Sequence, residues 1–218
     1  MSDSARDAIF KAIDGDTTSS SVDRDIIEQQ ARDLLIDPDA IRPSRTTDDV
    51  VDAFINRINS PKVAATATRI SSLQQLPHTI QTLLTERSRP CSISLQPIDA
   101  LTALDWTTAG ITQDAEIDDG IAVGLALWGI AETGSLVVHS ATNSPILLHF
   151  LPAVSIVAVP ASHLLWHLED YAAAARQAGD EAPRNACLIT GASGTTDIEG
   201  RLVTGAHGPR ELHVIIFD

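Results

Sequence analysis

Short apolar runs of strand length, separated by stretches of helical periodicity, constrain this chain more than any other feature. Val154–Val159 is an almost continuous apolar run, as are Ala186–Thr190 and Leu212–Phe217. Val63–Thr68, Cys91–Leu95, Ile121–Leu127 and Ser135–His139 complete the expected strands. Runs apolar at every position, rather than at every second one, belong to strands buried on both faces. Between them, Leu73, Leu76, Ile80, Leu83 and Leu84 recur at helical spacing, with Pro77 placed in the first turns. Ser162 is the expected N-cap of a helix through Leu164, Leu165, Leu168, Tyr171 and Ala175, with Gly179 as its stop. Strands alternating with helices predict an α/β fold of three layers, a mostly parallel sheet flanked by helices. In such sheets ligands bind beyond the carboxyl ends of the strands, which points to the loops Gly129–Gly134 and Gly191–Pro209.

The first 60 residues have a different texture. Residues 22–36 and 47–59 carry apolar positions at helical spacing, ended by Asp37-Pro38 and Ser60-Pro61. Asp14–Ser21, ahead of residues 22–36, reads as a linker. Residues 1–60 are therefore expected to form a helical arm and residues 61–218 an α/β domain.

Charge and composition exclude several functions. The chain has 218 residues, with 29 acidic and 15 basic side chains and a formal charge of -14. A phosphate-tracking nucleic-acid binder needs a basic face, which this balance disfavours. Lys11 and Lys62 are its only lysines, so a Walker loop or Schiff-base lysine has almost no candidates. The two cysteines, Cys91 and Cys187, form no CxxC pair, and this chain alone cannot build a four-cysteine cluster or a cysteine-based zinc site. The polar, acidic N-terminus lacks the pattern of a secretory signal, and the longest apolar stretch, Ile121–Ala131, is too short to span a bilayer. A cytoplasmic protein is expected, with self-association possible through the arm.

Three segments carry chemistry. Ile130–Leu136 places Glu132, Thr133 and Ser135 around Gly134 at a turn into a strand. They are either a site carboxylate with two hydroxyls or a turn tied by local hydroxyl–backbone bonds. Thr190–Glu199 runs from a buried strand through Gly191, Ser193, Gly194, Thr195, Thr196 and Asp197, with capping-box spacing between Thr196 and Glu199. A small-residue loop at a helix start exposes N–H groups to an anion; a plain strand–helix connection fits the same residues. Gly205–Arg210 brackets His207 between Gly205, Gly208 and Pro209 on a constrained loop, as either a proton carrier or anion contact or a turn histidine that only bonds the backbone. His163 and His167 stand four apart on the expected helix without a third ligand, so a solvated helix face is expected there and no metal. His139, His149 and His213 fall in or beside strands and read as packed or edge histidines.

As a set, Ile130–Leu136 (IAETGSL), Leu151-Pro152, Thr190–Glu199 (TGASGTTDIE) and Gly205–Pro209 (GAHGP) resemble the lactate utilization protein C family, the LUD domain. The resemblance spans about the last 90 residues most clearly. It departs in the loop, where Ala192, Gly194 and Thr196 stand for the family's proline, arginine and alanine. Losing that arginine leaves Arg210 or Arg201 to supply positive charge. The resemblance implies a fold similar to the NagB/RpiA/CoA-transferase superfamily. It also implies a component that supports oxidation of L-lactate to pyruvate within a protein complex. Iron–sulfur clusters are then expected only in partner proteins, with no cofactor in this chain. On that reading Glu132, Asp197 and His207 are the catalytic candidates. Thr133, Gly134, Ser135, Gly191, Ser193, Gly194, Thr195, Thr196, Gly208 and Arg210 are the ligand-binding ones, all lining one polar cleft that takes a small anion or a phosphate-bearing ligand. A stand-alone CoA-, folate- or sugar-phosphate-linked transferase or ligase, and a non-catalytic assembly subunit docking through its acidic helices, are the other functions the sequence allows.

Overall fold

Register, more than strand length, organises this molecule. The computed structural model describes residues 3–16, 23–34, 42–45, 47–177, 183–196 and 202–218. Five strands form a wholly parallel central sheet: β1 (Thr66–Ile70), β2 (Ser94–Leu95), β3 (Ile121–Leu125), β6 (Val154–Pro160) and β11 (Glu211–Phe217), in the order β1-β11-β6-β3-β2. β6 and β11 sit centrally and are the most apolar, as two-sided burial requires. A second, four-stranded sheet is built from β4 (Trp128–Ile130), β5 (Ser135–His139), β7 (Leu164–Leu165) and β8 (Ala186–Ile189), in the order β7-β4-β5-β8. β9 (Gly194–Thr196) and β10 (Leu202–Thr204) pair as an antiparallel hairpin.

Two cores lie on opposite faces of the central sheet. On one, α4 (Leu76–Glu86) and α5 (Asp99–Thr102) cover Val123, Ile156 and Ile215 with Ile80, Leu84 and Leu101. Pro77 sits in the first turn of α4, where its missing N–H has no partner to lose. On the other, α3 (Val50–Ile58) and the second sheet cover Val157, Val159 and Val214 with Phe54, Ile58 and Leu136. The expected α/β architecture is thus present, with one difference. One flank is largely a sheet, because the chain leaving β3 turns back through β4 and β5 instead of crossing over as a helix.

The chain divides into two compact units, Met1–Pro43 and Ser44–Asp218. This shortens the helical arm expected over residues 1–60, because α3 buries Phe54 and Ile58 completely within the larger unit. In the smaller unit, α1 (Asp3–Asp16) and α2 (Arg24–Leu34) keep Ile9, Phe10, Ile26 and Ile27 at least half exposed. The expected stops at Asp37-Pro38 and Gly179, and most of the Asp14–Ser21 linker, lie outside the described residues. α3 begins at Asp49, whose Oδ1 accepts the N–H groups of Val51 (2.7 Å) and Asp52 (3.0 Å). Asp49→Ala is expected to lower stability by about 1 kcal/mol, read from urea unfolding of the whole chain.

One expected helix takes another form. Residues 162–167 do not start a helix. Ala161–His163 is a 3-10 turn, Leu164–Leu165 adds β7 to the edge of β4, and α6 starts only at Leu168 and runs to Gln177. Pairing with β4 buries Leu164, a gain a helix there would forgo. Beyond Ser193, Gly194–Thr196 form β9 against β10, and the helix expected from the Thr196–Glu199 spacing lies outside the described residues.

Candidate functional site

The sequence-predicted residues fall into two groups. The first surrounds the β4–β5 turn. Gly134 adopts φ +73, and a Cβ there would lie 2.9 Å from Arg57 Cγ and 3.3 Å from Val63 Cγ2. Its conformation and packing together demand glycine. Ser135 is buried and links two hydroxyls, with its Oγ 2.6 Å from both Thr133 Oγ1 and Thr190 Oγ1. This chain of hydroxyls joins the turn to the end of β8. Glu132 reaches the start of α6, where its Oε2 accepts the Leu168 N–H at 3.3 Å and lies 3.4 Å from His167 Nδ1. The His167 contact is in ion-pair range but lacks hydrogen-bond geometry, and among the described residues Nδ1 has no hydrogen-bond partner. A carboxylate and a buried imidazole thus stand side by side at the turn. His167 is 5% exposed, which corrects the solvated helix face expected for it. His163 instead places Nδ1 2.9 Å from the Leu127 carbonyl. Among the described residues no cluster of three metal-binding side chains occurs.

The second group surrounds a cavity of about 380 Å³ between Phe150–Ala153, Gly205–Arg210 and Asp118-Asp119. The exposed His207 and Arg210 line it, and Arg210 lies 3.7 Å from Asp119. Its frame is backbone: the Ser193 N–H donates to the Pro209 carbonyl (2.8 Å), and the Gly205 N–H donates to the Ser193 carbonyl (2.9 Å). Gly208 packs against Ser193, where an added Cβ would meet Ser193 Cβ at 3.1 Å. Leu151-Pro152, Ser193 and Gly205–Pro209, far apart in sequence, thus meet at one place.

Two expectations need correction. Gly120, Ala153 and Arg210 precede β3, β6 and β11, so this cavity lies at the amino ends of the central strands and not at their carboxyl ends. Gly194, Thr195 and Thr196 pair with Thr204, Val203 and Leu202 in the β9–β10 ladder. Paired in this way, Gly194–Thr196 form no open loop of N–H groups, and the helix start expected after Thr196 lies outside the described residues. The single cleft expected from Glu132 to His207 resolves into the turn group and the cavity group, linked through Thr190–Ser193. Asp197, Glu199 and Arg201 lie outside the described residues. Sequence reasoning missed His167, Asp118 and Asp119, which carry no motif of their own. Cys91 packs against the core under α4 and Cys187 against the core under α3, so the central sheet separates them.

A family model for the LUD domain matches residues 62–217. The chain belongs to the LUD domain family. All the residues of both groups fall within the matched span. Lactate utilization protein C of Geobacillus kaustophilus (strain HTA426) is 32% identical over 125 residues, covering 55% of this chain and 52% of the relative. Lactate utilization protein C of Geobacillus thermodenitrificans (strain NG80-2) is 32% identical over 116 residues, covering 51% of this chain and 48% of that one. The chain therefore spans about half the length of these curated relatives. A DUF162 family protein from Deinococcus radiodurans, solved as a crystal structure, shares the fold of this LUD domain. Its TM-score is 0.53 at 20% identity, over 81% of this chain and 100% of the other. No helix among the described residues is long and apolar enough to cross a membrane.

Proposed function

We propose that this LUD domain is a component of an L-lactate utilization system, supporting oxidation of lactate to pyruvate, with electron carriage by iron–sulfur partner proteins. Its small anionic ligand occupies the cavity between Leu151-Pro152 and Gly205–Arg210. The observation that carries this reading is one cavity lined by Leu151-Pro152 and Gly205–Arg210 and framed by Ser193, holding an arginine and an exposed histidine in a chain of net charge -14. The relatives named for lactate utilization support the substrate class. Arg210 offers a planar fork that matches a carboxylate. Its 3.7 Å contact with Asp119 is exposed and weak, so a ligand carboxylate replaces it at little cost. On this reading His207 exchanges a hydrogen bond or proton with the ligand's hydroxyl. Separation of Cys91 from Cys187 fits electron carriage elsewhere.

Titration calorimetry of the whole chain with L-lactate, pyruvate and CoA tests this. L-lactate or pyruvate is expected to bind, and Arg210→Ala is expected to weaken binding by about 10-fold or more, the worth of a charged hydrogen bond. Absence of binding by any of the three removes the anion cavity. Binding of CoA alone favours a CoA-linked transferase.

A further inference from the structure

The face of the central sheet under α4 carries a constellation separate from both groups above. Glu211 and His213 stand two apart on β11 and so point to the same face. Thr66 on β1 is the direct register partner of His213. Sheet register alone therefore delivers a hydroxyl, an imidazole and a carboxylate to one line. Thr66 Oγ1 lies 2.5 Å from His213 Nδ1, and His213 Nε2 lies 3.3 Å from Glu211 Oε2. Glu211 is itself held by Arg89 and, at 3.6 Å, by Arg87. His213 is 4% exposed, whereas Thr66 is open to solvent on the edge strand. The hydroxyl faces a cavity of about 270 Å³ walled by Thr68, Thr82, Leu83 and Ile215.

The hydrogen-bond roles follow from chemistry. An ionised carboxylate only accepts, so the single proton of a neutral imidazole sits on Nε2 and is donated to Glu211. Nδ1 is then the acceptor for the Thr66 O–H. Burial, reinforced by Arg87, holds the His213 imidazole below its usual range, so it is neutral at pH 7 and able to take a proton. The β-branched Thr66 has a stiff χ1, which keeps its hydroxyl in place.

We propose that Thr66, His213 and Glu211 form a nucleophile, base and positioning residue that accept a short acyl group from an uncharged, activated ester. Thr66 Oγ1 attacks the ester carbonyl carbon while its proton passes to His213 Nδ1. The tetrahedral adduct collapses, the bond to the leaving alcohol breaks, and the departing alkoxide takes the proton from Nδ1. Water then attacks acyl-Thr66 with His213 again as base, releasing the carboxylic acid and restoring the hydroxyl. Thr79 and Thr82 already donate to the Gln75 and His78 carbonyls at 3.0 Å. Thr68, on the same face as Thr66 and lining the same cavity, is the hydroxyl placed toward the developing oxyanion. The small cavity and the Glu86 carboxylate at its wall select short, uncharged acyl groups.

Incubating the whole chain with p-nitrophenyl acetate tests the assignment. A burst of nitrophenolate is expected, with an acetyl group on the Thr66 peptide by mass spectrometry. Thr66→Ser retains both, while Thr66→Val loses the adduct. His213→Gln slows acylation by about 100-fold, the usual worth of a general base. The acylation rate rises with pH along a limb below the normal histidine range. Glu211→Gln moves that limb, because Glu211, Arg87 and Arg89 are the charges acting on the imidazole, with Glu86 on the wall of the same cavity. If Thr66→Val fails to fold, as judged by circular dichroism, the contrast between Thr66→Ser and His213→Gln decides. Acetylation only at other residues, no acetylation at all, or a burst unchanged in His213→Gln overturns the proposal.

Discussion

Gly191→Ala is expected to destabilise the body of this protein by about 3 kcal/mol or more, at the severe end of single substitutions. Gly191 adopts φ +77, and a Cβ there would stand 1.7 Å from the Val63 carbonyl oxygen and 2.8 Å from its carbonyl carbon. Backbone cannot swing aside as a long side chain does. Val63 is also anchored, since its N–H donates to the Ser60 carbonyl at 3.0 Å and its side chain is buried beside Phe54 and Ile58. The cost has two parts, left-handed backbone strain and steric overlap, and a control separates them. Gly110 has φ +71 with nothing within 4 Å of an added Cβ, so Gly110→Ala carries the strain alone, about 1 kcal/mol. Thermal unfolding should show Gly191→Ala lowered by roughly 6–12 °C, or no soluble protein, against a few degrees for Gly110→Ala. Equal shifts in the two variants would sink the account. The functional stake is direct, because Gly191 links the hydroxyl chain at Ser135 and Thr190 to Ser193 in the cavity frame.

Acid should destabilise this fold through His149. The imidazole is 1% exposed, and among the described residues its Nε2 has no hydrogen-bond partner. It lies against Gly124, where an added Cβ would be 2.5 Å from its Cε1, so β3 itself walls the ring in. Burial lowers its pKa from 6.5 to about 4. Above pH 6.5 both folded and unfolded forms are neutral here and the contribution is constant. Between pH 6.5 and 4 the unfolded chain takes up a proton that the folded one refuses, so stability falls as pH falls. Below pH 4 both are protonated and the loss is complete, at about 3 kcal/mol. Urea unfolding at intervals from pH 7 to 4 checks this against His149→Gln, which cannot titrate. The wild type is expected to lose about 3 kcal/mol more than the variant over that window. Parallel pH dependences would rule His149 out as the source.

Much of the central sheet was legible in advance because a strand buried on both faces must be apolar at nearly every position. Val154–Pro160 and Glu211–Phe217 are such strands, and Ile121–Leu125 is a shorter one. The second sheet was harder. Leu164 and Leu165 fit a helical face as well as a two-residue strand, and only pairing with Gly129 and Ile130 decides between them. The Gly194–Thr196 segment shows the same ambiguity. Its capping pattern is local, but its partner strand, Leu202–Thr204, is formed by tertiary pairing.

The site divides along the same line. Glycine positions, the hydroxyl-rich turn and the His207 loop could be found from residue types alone, because a positive φ or a constrained imidazole leaves a local trace. Gly134 and Gly205 adopt φ +73 and +77, as those loops require. Partners in space leave none. Glu132 meets His167 only because β7 lies beside β4, and His207 shares a cavity with Asp118 and Asp119 only because β3, β6 and β11 begin at the same edge. The Thr66–His213–Glu211 line depends on one register between two parallel strands 147 residues apart. The amino-acid sequence by itself determined the family, the buried strands and the turns, since each is written in local composition and order. The tertiary structure alone decided which polar groups face each other and at which end of the sheet the cavity opens, because strand register and layer packing are relations between distant residues.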